Sequence, residues 1–263
     1  MKRWLALVFI TLMGSGHAYA QGGMFDNNNF TTRPANFNAA HNAEKSAEIH
    51  TELGAGFFSR GQYSVALDEL HKAINANNNY APAYDVLGLV YMALNEDKPA
   101  EENFHRALNI APNDPDIHNN YGWFLYNRSR YNEAMEQFKL SIANPLYAKP
   151  QSALTNAGLC ALKMGNSAEA QTYFEKSLGY DGNQPEAIFE LAQMYYQQQR
   201  YAEAKMMLDK LSTDNTTPNI LWLGLRIARK MNDSNIVSSD DLLLRNRYPN
   251  APETQLLLQG KFN

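Results

Sequence analysis

Small and apolar residues recur along this chain at an interval close to 34 positions. Six small residues that each follow an apolar one, at positions 54, 88, 122, 158, 192 and 224, lie 34, 34, 36, 34 and 32 positions apart. In the first five units an alanine follows twelve positions later and a large apolar residue four positions after that, as in Ala100 and Phe104. Apolar residues three and four positions apart are typical of amphipathic helices, so each unit predicts two helices.

The pattern is the signature of the tetratricopeptide repeat (TPR), in which L-G-x-x-Y is followed by A-x-x-x-F and proline. It predicts an all-α fold, a tetratricopeptide-repeat superhelix (an α-solenoid) of about six helix-turn-helix repeats. The small residues are expected where the two helices of a repeat approach each other, because a larger side chain would push the helices apart. These structural positions are Gly54, Ala66, Gly88, Ala100, Gly122, Ala134, Gly158, Ala170, Ala192, Ala204 and Gly224.

The period also predicts the boundaries within a TPR domain at 43–263. Repeats are expected at 47–80, 81–114, 115–150, 151–184 and 185–216, and the extra length of the third predicts a longer loop after its second helix. A unit at 217–248 places Ile236 and Asp240 where alanine and a large apolar residue belong, which predicts a degenerate capping repeat. A short helix is expected at 253–260. Residues 21–42, rich in asparagine, are expected to form a flexible lead.

The first helix of each repeat is expected to line the inner surface of a TPR stack. Positions 9 and 12 of the repeats place large apolar or aromatic side chains there, and asparagines at position 6 could pair with the main chain of a partner. The alternatives are that the apolar side chains pack against the next repeat and that the asparagines bond within their own solenoid. The predicted groove residues are Phe58, Leu89, Met92, Asn120, Trp123, Tyr126, Asn156, Leu159, Leu162 and Tyr196.

The N-terminus has the three parts of a secretory signal peptide. Two basic residues precede an apolar run at 4–13, and small residues end at Ala20. We expect a signal peptide at 1–20, cleaved between Ala20 and Gln21. A buried N-terminal helix is the disfavoured alternative, because the Gly- and Asn-rich stretch after it offers nothing to pack against. The run is shorter than the roughly 20 residues that span a bilayer.

A lipid anchor is not expected, although residues 12–15 have the shape of a bacterial lipobox. Ser15 stands where lipidation needs cysteine, and a serine hydroxyl cannot form the thioether. We therefore expect a soluble exported protein.

Charge and residue types exclude several functional classes. The formal charge of −4 falls to −6 once Lys2 and Arg3 are removed, and an acidic body argues against nucleic acid as a partner. The single Cys160 excludes an internal disulfide and is expected to be buried. The histidines lack metal-ligand spacing, and no catalytic or phosphate-binding motif occurs. We therefore expect no enzyme activity, no cofactor, no metal and no small-molecule substrate.

Several segments are more particular than a generic repeat. These segments are residues 119–125, 144–147, 156–161, 221–229 and 242–253, the last of which reads LLLRNRYPNAPE. Through them the chain resembles the PilF/PilW family of type IV pilus biogenesis and stability proteins, the TPR pilotins, over about residues 44–262.

The resemblance implies a six-TPR pilotin, which assists outer-membrane localisation and multimerisation of the pilus secretin and supports twitching motility. The secretin is then the expected protein partner, with other pilus assembly proteins as further candidates. Family members are usually lipoproteins on the outer membrane, which Ser15 does not permit here, so the resemblance implies a soluble periplasmic protein with association with the outer membrane left open. A second cysteine often found in the family is Tyr126 in this chain. Two alternatives stay open: a periplasmic TPR adaptor for another envelope assembly machine, and a regulatory subunit of an enzyme.

Overall fold

The computed structural model describes residues 35–211 and 217–262, and all regular structure in these ranges is helical. The predicted all-α TPR fold is confirmed, because the helices follow one another as antiparallel pairs with the predicted period. The helices are α1 (Ala35–Ser59), α2 (Tyr63–Ala76), α3 (Ala81–Leu94), α4 (Asp97–Ile110), α5 (Pro115–Asn127), α6 (Tyr131–Ala143), α7 (Gln151–Lys163), α8 (Ser167–Tyr180), α9 (Pro185–Gln197), α10 (Tyr201–Leu208), α11 (Pro218–Met231), α12 (Ser234–Arg247) and α13 (Pro252–Leu258).

A short turn joins the two helices of each pair. Every turn contains one residue with a positive φ, which reverses the chain after the first helix. Glycine occupies this position at Gly61 and Gly165, where its lack of a Cβ removes the steric penalty. The complete series is Gly61, Asn95, Ser129, Gly165, Gln199 and Asn232.

Close packing within a pair depends on the small residues. A Cβ added to Gly158 would lie 2.5 Å from the ring of Phe174, and one added to Gly122 would lie 2.7 Å from the ring of Phe138. Both phenylalanines are completely buried. The aromatic ring therefore occupies the space that a side chain on the first helix would need. The alanines of the second helices, Ala66, Ala100, Ala134, Ala170 and Ala204, are also completely buried.

The first helix is longer than predicted. It begins at Ala35, so the expected flexible lead is wrong for residues 35–42, and the predicted domain start at 43 lies inside α1. Neither glycine nor proline occurs between Ala35 and Leu53, and five alanines occur in that span. Since alanine has the highest helix propensity and Pro34 precedes the helix, α1 extends back to Ala35. Residues 21–34 of the predicted lead lie outside the described residues.

The connection after the third pair is the long loop that the sequence predicts. It covers residues 144–150, whereas the neighbouring connections cover only 77–80, 111–114 and 181–184. The amide of Leu146 bonds to the side-chain oxygen of Asn144, and the Leu146 side chain is 89 % exposed.

The last three helices share a compact apolar cluster. Leu225 of α11, Leu244 of α12 and Leu257 of α13 are buried together, and Phe262 packs against the same cluster. The Phe262 ring stacks on Trp222 at 5.4 Å between centroids. The Phe262 ring also contacts Arg229, whose guanidinium carbon lies 3.8 Å from the ring centroid. The short helix predicted at 253–260 is therefore present as α13 and covers α11 and α12.

Contacts divide the chain into two units at the bond between Tyr121 and Gly122. Unit 1 contains α1 to α4 and the first part of α5. Unit 2 contains the rest of α5 and α6 to α13. The predicted groove residues are divided between these units, with Phe58, Leu89, Met92 and Asn120 in unit 1 and the others in unit 2.

Candidate partner-binding surfaces

In unit 1 two of the predicted apolar groove residues are partly exposed. Phe58 and Met92 each retain part of their surface, and the Phe58 ring lies 6.0 Å from that of Tyr63. The prediction for Leu89 is wrong, because its side chain is only 3 % exposed. Leu89 therefore belongs to the buried core rather than to an exposed surface of α3.

The predicted groove residue Asn120 is hydrogen-bonded to the buried carboxyl group of Asp85. The Asn120 side-chain amide donates a hydrogen bond of 2.8 Å to Asp85 Oδ2. Asp85 Oδ1 is buried without a hydrogen-bond partner among the described residues. Burial raises the pKa of Asp85 to about 8, and the carboxylates of Asp114 and Asp116 act in the same direction, against the bond from Asn120. Asp85 is therefore mostly protonated at neutral pH.

Asp85 is a residue that the sequence analysis did not single out. It occupies position 5 of its repeat, one position before the asparagine series. A carboxylic acid between Tyr84 and the apolar run Val86-Leu87 was the available signal. The structure shows Asp85 fixing the orientation of Asn120, whose amide oxygen makes no bond to any other described residue.

In unit 2 the predicted aromatic residues form a cluster on α5 and α6. Trp123 and Tyr126 stack with centroids 5.2 Å apart and an angle of 13° between the ring planes. Tyr131 meets Tyr126 edge-on at 5.7 Å. Burial raises the pKa of the Tyr126 hydroxyl to about 12, with smaller contributions from Tyr131, Cys160 and Glu190. Trp123 and Tyr126 are nonetheless both partly exposed, which leaves an aromatic platform for a ligand.

Helix α7 contributes the next set of predicted residues. Asn156, Leu159 and Leu162 are all partly exposed on this helix. Cys160, between them, is completely buried, as the sequence predicts, and its thiol donates to the Tyr131 carbonyl oxygen at 3.2 Å. Burial raises the pKa of the Cys160 thiol to about 11, so the thiol stays protonated at neutral pH.

A further polar residue in unit 2 escaped the sequence analysis. Glu190 stands at position 6 of its repeat, the position of Asn120 and Asn156 in theirs, and this register was the signal for it. Burial raises the pKa of Glu190, Lys163 opposes that effect, and Glu186 adds to it. Nearby on α9, the predicted Tyr196 lies under Arg226, with 4.5 Å from the guanidinium carbon to the ring centroid.

Three of the five histidines among the described residues, His50, His105 and His118, bond to protein groups. His50 Nδ1 lies 2.7 Å from Glu69 Oε2, and His118 Nε2 lies 3.0 Å from the Pro112 carbonyl oxygen. Within residues 35–211 and 217–262, no group of three His, Cys, Asp or Glu residues could hold a metal ion. None of the helices in that part of the chain is long and apolar enough to cross a membrane. The predicted signal peptide at 1–20, which includes Ser15, and its predicted cleavage site between Ala20 and Gln21 lie outside the described residues.

Comparison with known proteins agrees with the repeat architecture. Models of the tetratricopeptide repeat match residues 81–114, 104–136 and 161–226. The type IV pilus assembly protein PilF of Pseudomonas aeruginosa is 32 % identical over 213 residues, which is 81 % of this chain and 84 % of that protein.

Two solved structures are similar along most of the fold. A structure of P. aeruginosa PilF has a TM-score of 0.78 and 31 % identity, covering 84 % of this chain and all of that one. A crystal structure of PilW, described as a widely conserved type IV pilus biogenesis factor, has a TM-score of 0.70 and 28 % identity, covering 81 % of this chain and 98 % of the other. This chain therefore belongs to the PilF family of tetratricopeptide-repeat type IV pilus assembly proteins.

Proposed function

We propose that this chain is a non-enzymatic binding protein of type IV pilus biogenesis. In this role it acts as a pilotin that assists the pilus secretin in reaching the outer membrane and forming multimers. The observation that carries the proposal is similarity to PilF over four fifths of the chain. The fold agrees with it, because stacked helix pairs present side chains for binding another protein.

Unit 2 offers the chemistry of a protein-binding surface. The stacked Trp123 and Tyr126 rings give a rigid apolar area that costs little side-chain entropy to fix. Leu159 and Leu162 add partly exposed aliphatic groups on α7, and Asn156 brings an amide. A partner segment with apolar side chains would bury these groups, while the amide pairs with its main chain.

Unit 1 offers a polar contact of a different kind. The bond from Asn120 to Asp85 fixes the asparagine side chain before any partner arrives. A preoriented amide loses less conformational entropy on binding than a free one. Phe58 and Met92 of the same unit are the proposed apolar contacts, and Tyr196 is the corresponding proposal for α9 of unit 2.

The proposed location is the periplasm. The charge pattern and small residues at 1–20 favour export, and Ser15 in place of a lipobox cysteine favours a protein without a lipid anchor. Such a protein would assist the secretin from solution, and any association with the outer membrane would come through its partners.

The test is a deletion strain of the source bacterium complemented with variants of the chain. We expect the deletion to abolish twitching and to leave the secretin as monomers, and the wild-type gene to restore heat-stable secretin multimers on gels. Trp123→Ala combined with Leu159→Ala should fail to restore them. The matched control combines Tyr180→Ala with Leu140→Ala, which truncates side chains that are 65 % and 52 % exposed on second helices of their repeats.

Circular dichroism of the purified variants separates lost binding from lost folding. Normal secretin multimers in the deletion strain would refute the pilotin proposal and favour an adaptor for another envelope machine. Full complementation by a folded Trp123→Ala, Leu159→Ala protein would refute the assignment of the binding surface.

A further inference from the structure

A cavity of about 290 Å³ lies between α10, α11 and α12 in unit 2. Its walls are mainly aliphatic, with Leu208 from α10, Ile220, Ile227 and Met231 from α11, and Ile236 from α12. Its volume is near the lower end of the range for small-molecule sites, about 300 Å³, so it suits a single side chain or a small molecule.

The cavity results from the departure of the last repeat from the TPR pattern. In the third and fourth repeats a buried phenylalanine contacts the glycine of the first helix, as Phe174 contacts Gly158. The corresponding pair in the last repeat is Asp240 and Gly224, with Asp240 Oδ2 lying 2.9 Å from the position of a Cβ on Gly224. A carboxylate is much smaller than a phenyl ring, so space remains beside it.

None of the described residues supplies a counter-charge to the carboxylate of Asp240. No hydrogen bond or ion pair joins it to another of the described residues, and burial raises its pKa to about 6. The other charged groups of the cavity are already engaged. Lys205 Nζ binds Asp209 at 2.8 Å, and Asp233 Oδ1 accepts from the Ile236 amide as the N-cap of α12. Three aspartates and one lysine leave the lining with a formal charge of −2.

We propose that this cavity binds a lysine side chain of a partner polypeptide. The aliphatic walls would cover the butyl stem of the lysine, and the ammonium group would pair with Asp240. A charge-assisted hydrogen bond in a partly buried site is stronger than one at the surface, which gives such a pocket a preference for a cation over a neutral group. The site lies on the side of α11 that faces α10 and α12. It is a second site, independent of the proposed pilotin surface.

The first test uses n-butylammonium, which reproduces the lysine side chain, and n-butanol as its neutral counterpart. Both are titrated into the full chain while methyl NMR signals of Ile220, Ile227 and Ile236 are followed. We expect n-butylammonium to shift these signals and n-butanol to bind at least about tenfold more weakly, the ratio that one charge-assisted bond gives. Equal affinity for the two probes would overturn the proposal.

Substitutions in the chain test whether n-butylammonium binds at Asp240. Asp240→Asn should weaken n-butylammonium binding about tenfold, while Asp241→Asn, one residue along and paired with Arg245, should leave it unchanged. Asp240→Leu restores an apolar residue at the repeat position, so it should raise Tm and abolish binding. Unchanged binding by the folded Asp240→Leu protein would refute the site.

A peptide decides whether the occupant is a protein. The peptide Leu-Lys-Leu, with an acetylated N-terminus and an amidated C-terminus, should shift the same methyl signals. The same peptide with an acetylated lysine side chain should not shift them. If n-butylammonium binds and the lysine peptide does not, the cavity is a site for small amines and the polypeptide assignment is wrong.

Discussion

The buried carboxyl of Asp85 gives the most direct test of the structure. Its pKa is raised from 3.8 to about 8, chiefly by burial. In the unfolded chain the group ionises above about pH 4, but in the folded protein it stays protonated until about pH 8. The stability it contributes is therefore fully present below about pH 4 and is lost as the pH rises towards the native pKa.

Asp85→Asn removes this titration while keeping the size of the side chain and the acceptor for Asn120. Each pH unit in the window costs the wild-type protein at most about 1.4 kcal/mol, so the three units from about pH 4 to pH 7 give a limit of about 4 kcal/mol. Local rearrangement around an ionised Asp85 lowers the effect, so we expect Asp85→Asn to be more stable than wild type by about 1 to 4 kcal/mol at neutral pH.

Urea unfolding followed by circular dichroism, at about pH 4 and about pH 7, measures this difference. Titrations common to both proteins cancel when the variant is compared with wild type at each pH. Asp68→Asn, which changes an exposed carboxylate on α2 of the same unit, is the control and should give a difference near zero. A stability difference for Asp85→Asn that does not grow between the two pH values would refute the assignment of a raised pKa.

Two further predictions concern packing. Gly158→Ala should destabilise the protein by about 1 to 3 kcal/mol, because its Cβ would meet the Phe174 ring at 2.5 Å. Gly179→Ala on the next helix meets nothing within 4 Å and should stabilise by about 0.5 to 1 kcal/mol in the same urea assay, whereas equal effects would contradict the packing of α7 on α8. Cys160 should resist thiol reagents in the folded protein and react fully in urea, since it is completely buried and its thiol pKa is raised to about 11. Rapid labelling without urea would show that α7 is not packed as described.

The repeat pattern predicts most of the fold because each part of it reports a local packing need. For α5 and α6 to pack, residue 122 must be small because the large Phe138 ring occupies the space beside it. The sequence shows this requirement directly, as a glycine followed sixteen positions later by a phenylalanine. The start of α1 was less predictable. Periodicity detects the packed part of a helix, while the extension to Ala35 depends on propensity and on the absence of a breaker.

The candidate site was predicted less well because a position in a repeat does not determine exposure. Leu89 and Leu159 both stand at position 9, yet Leu89 is buried and Leu159 is partly exposed. Asp85 was missed for a related reason. Its role depends on the bond to Asn120, 35 residues away, and a pattern counted within one repeat does not contain that contact.

The loop at 144–150 has a practical consequence. Helix pairs in such an array depend mainly on their immediate neighbours, so a connection that is longer than the neighbouring ones and mostly exposed marks a place where inserted residues do little harm. With Leu146 pointing into solvent, this loop is suited to carrying an epitope tag or a fluorescent label in experiments that follow the protein in living cells.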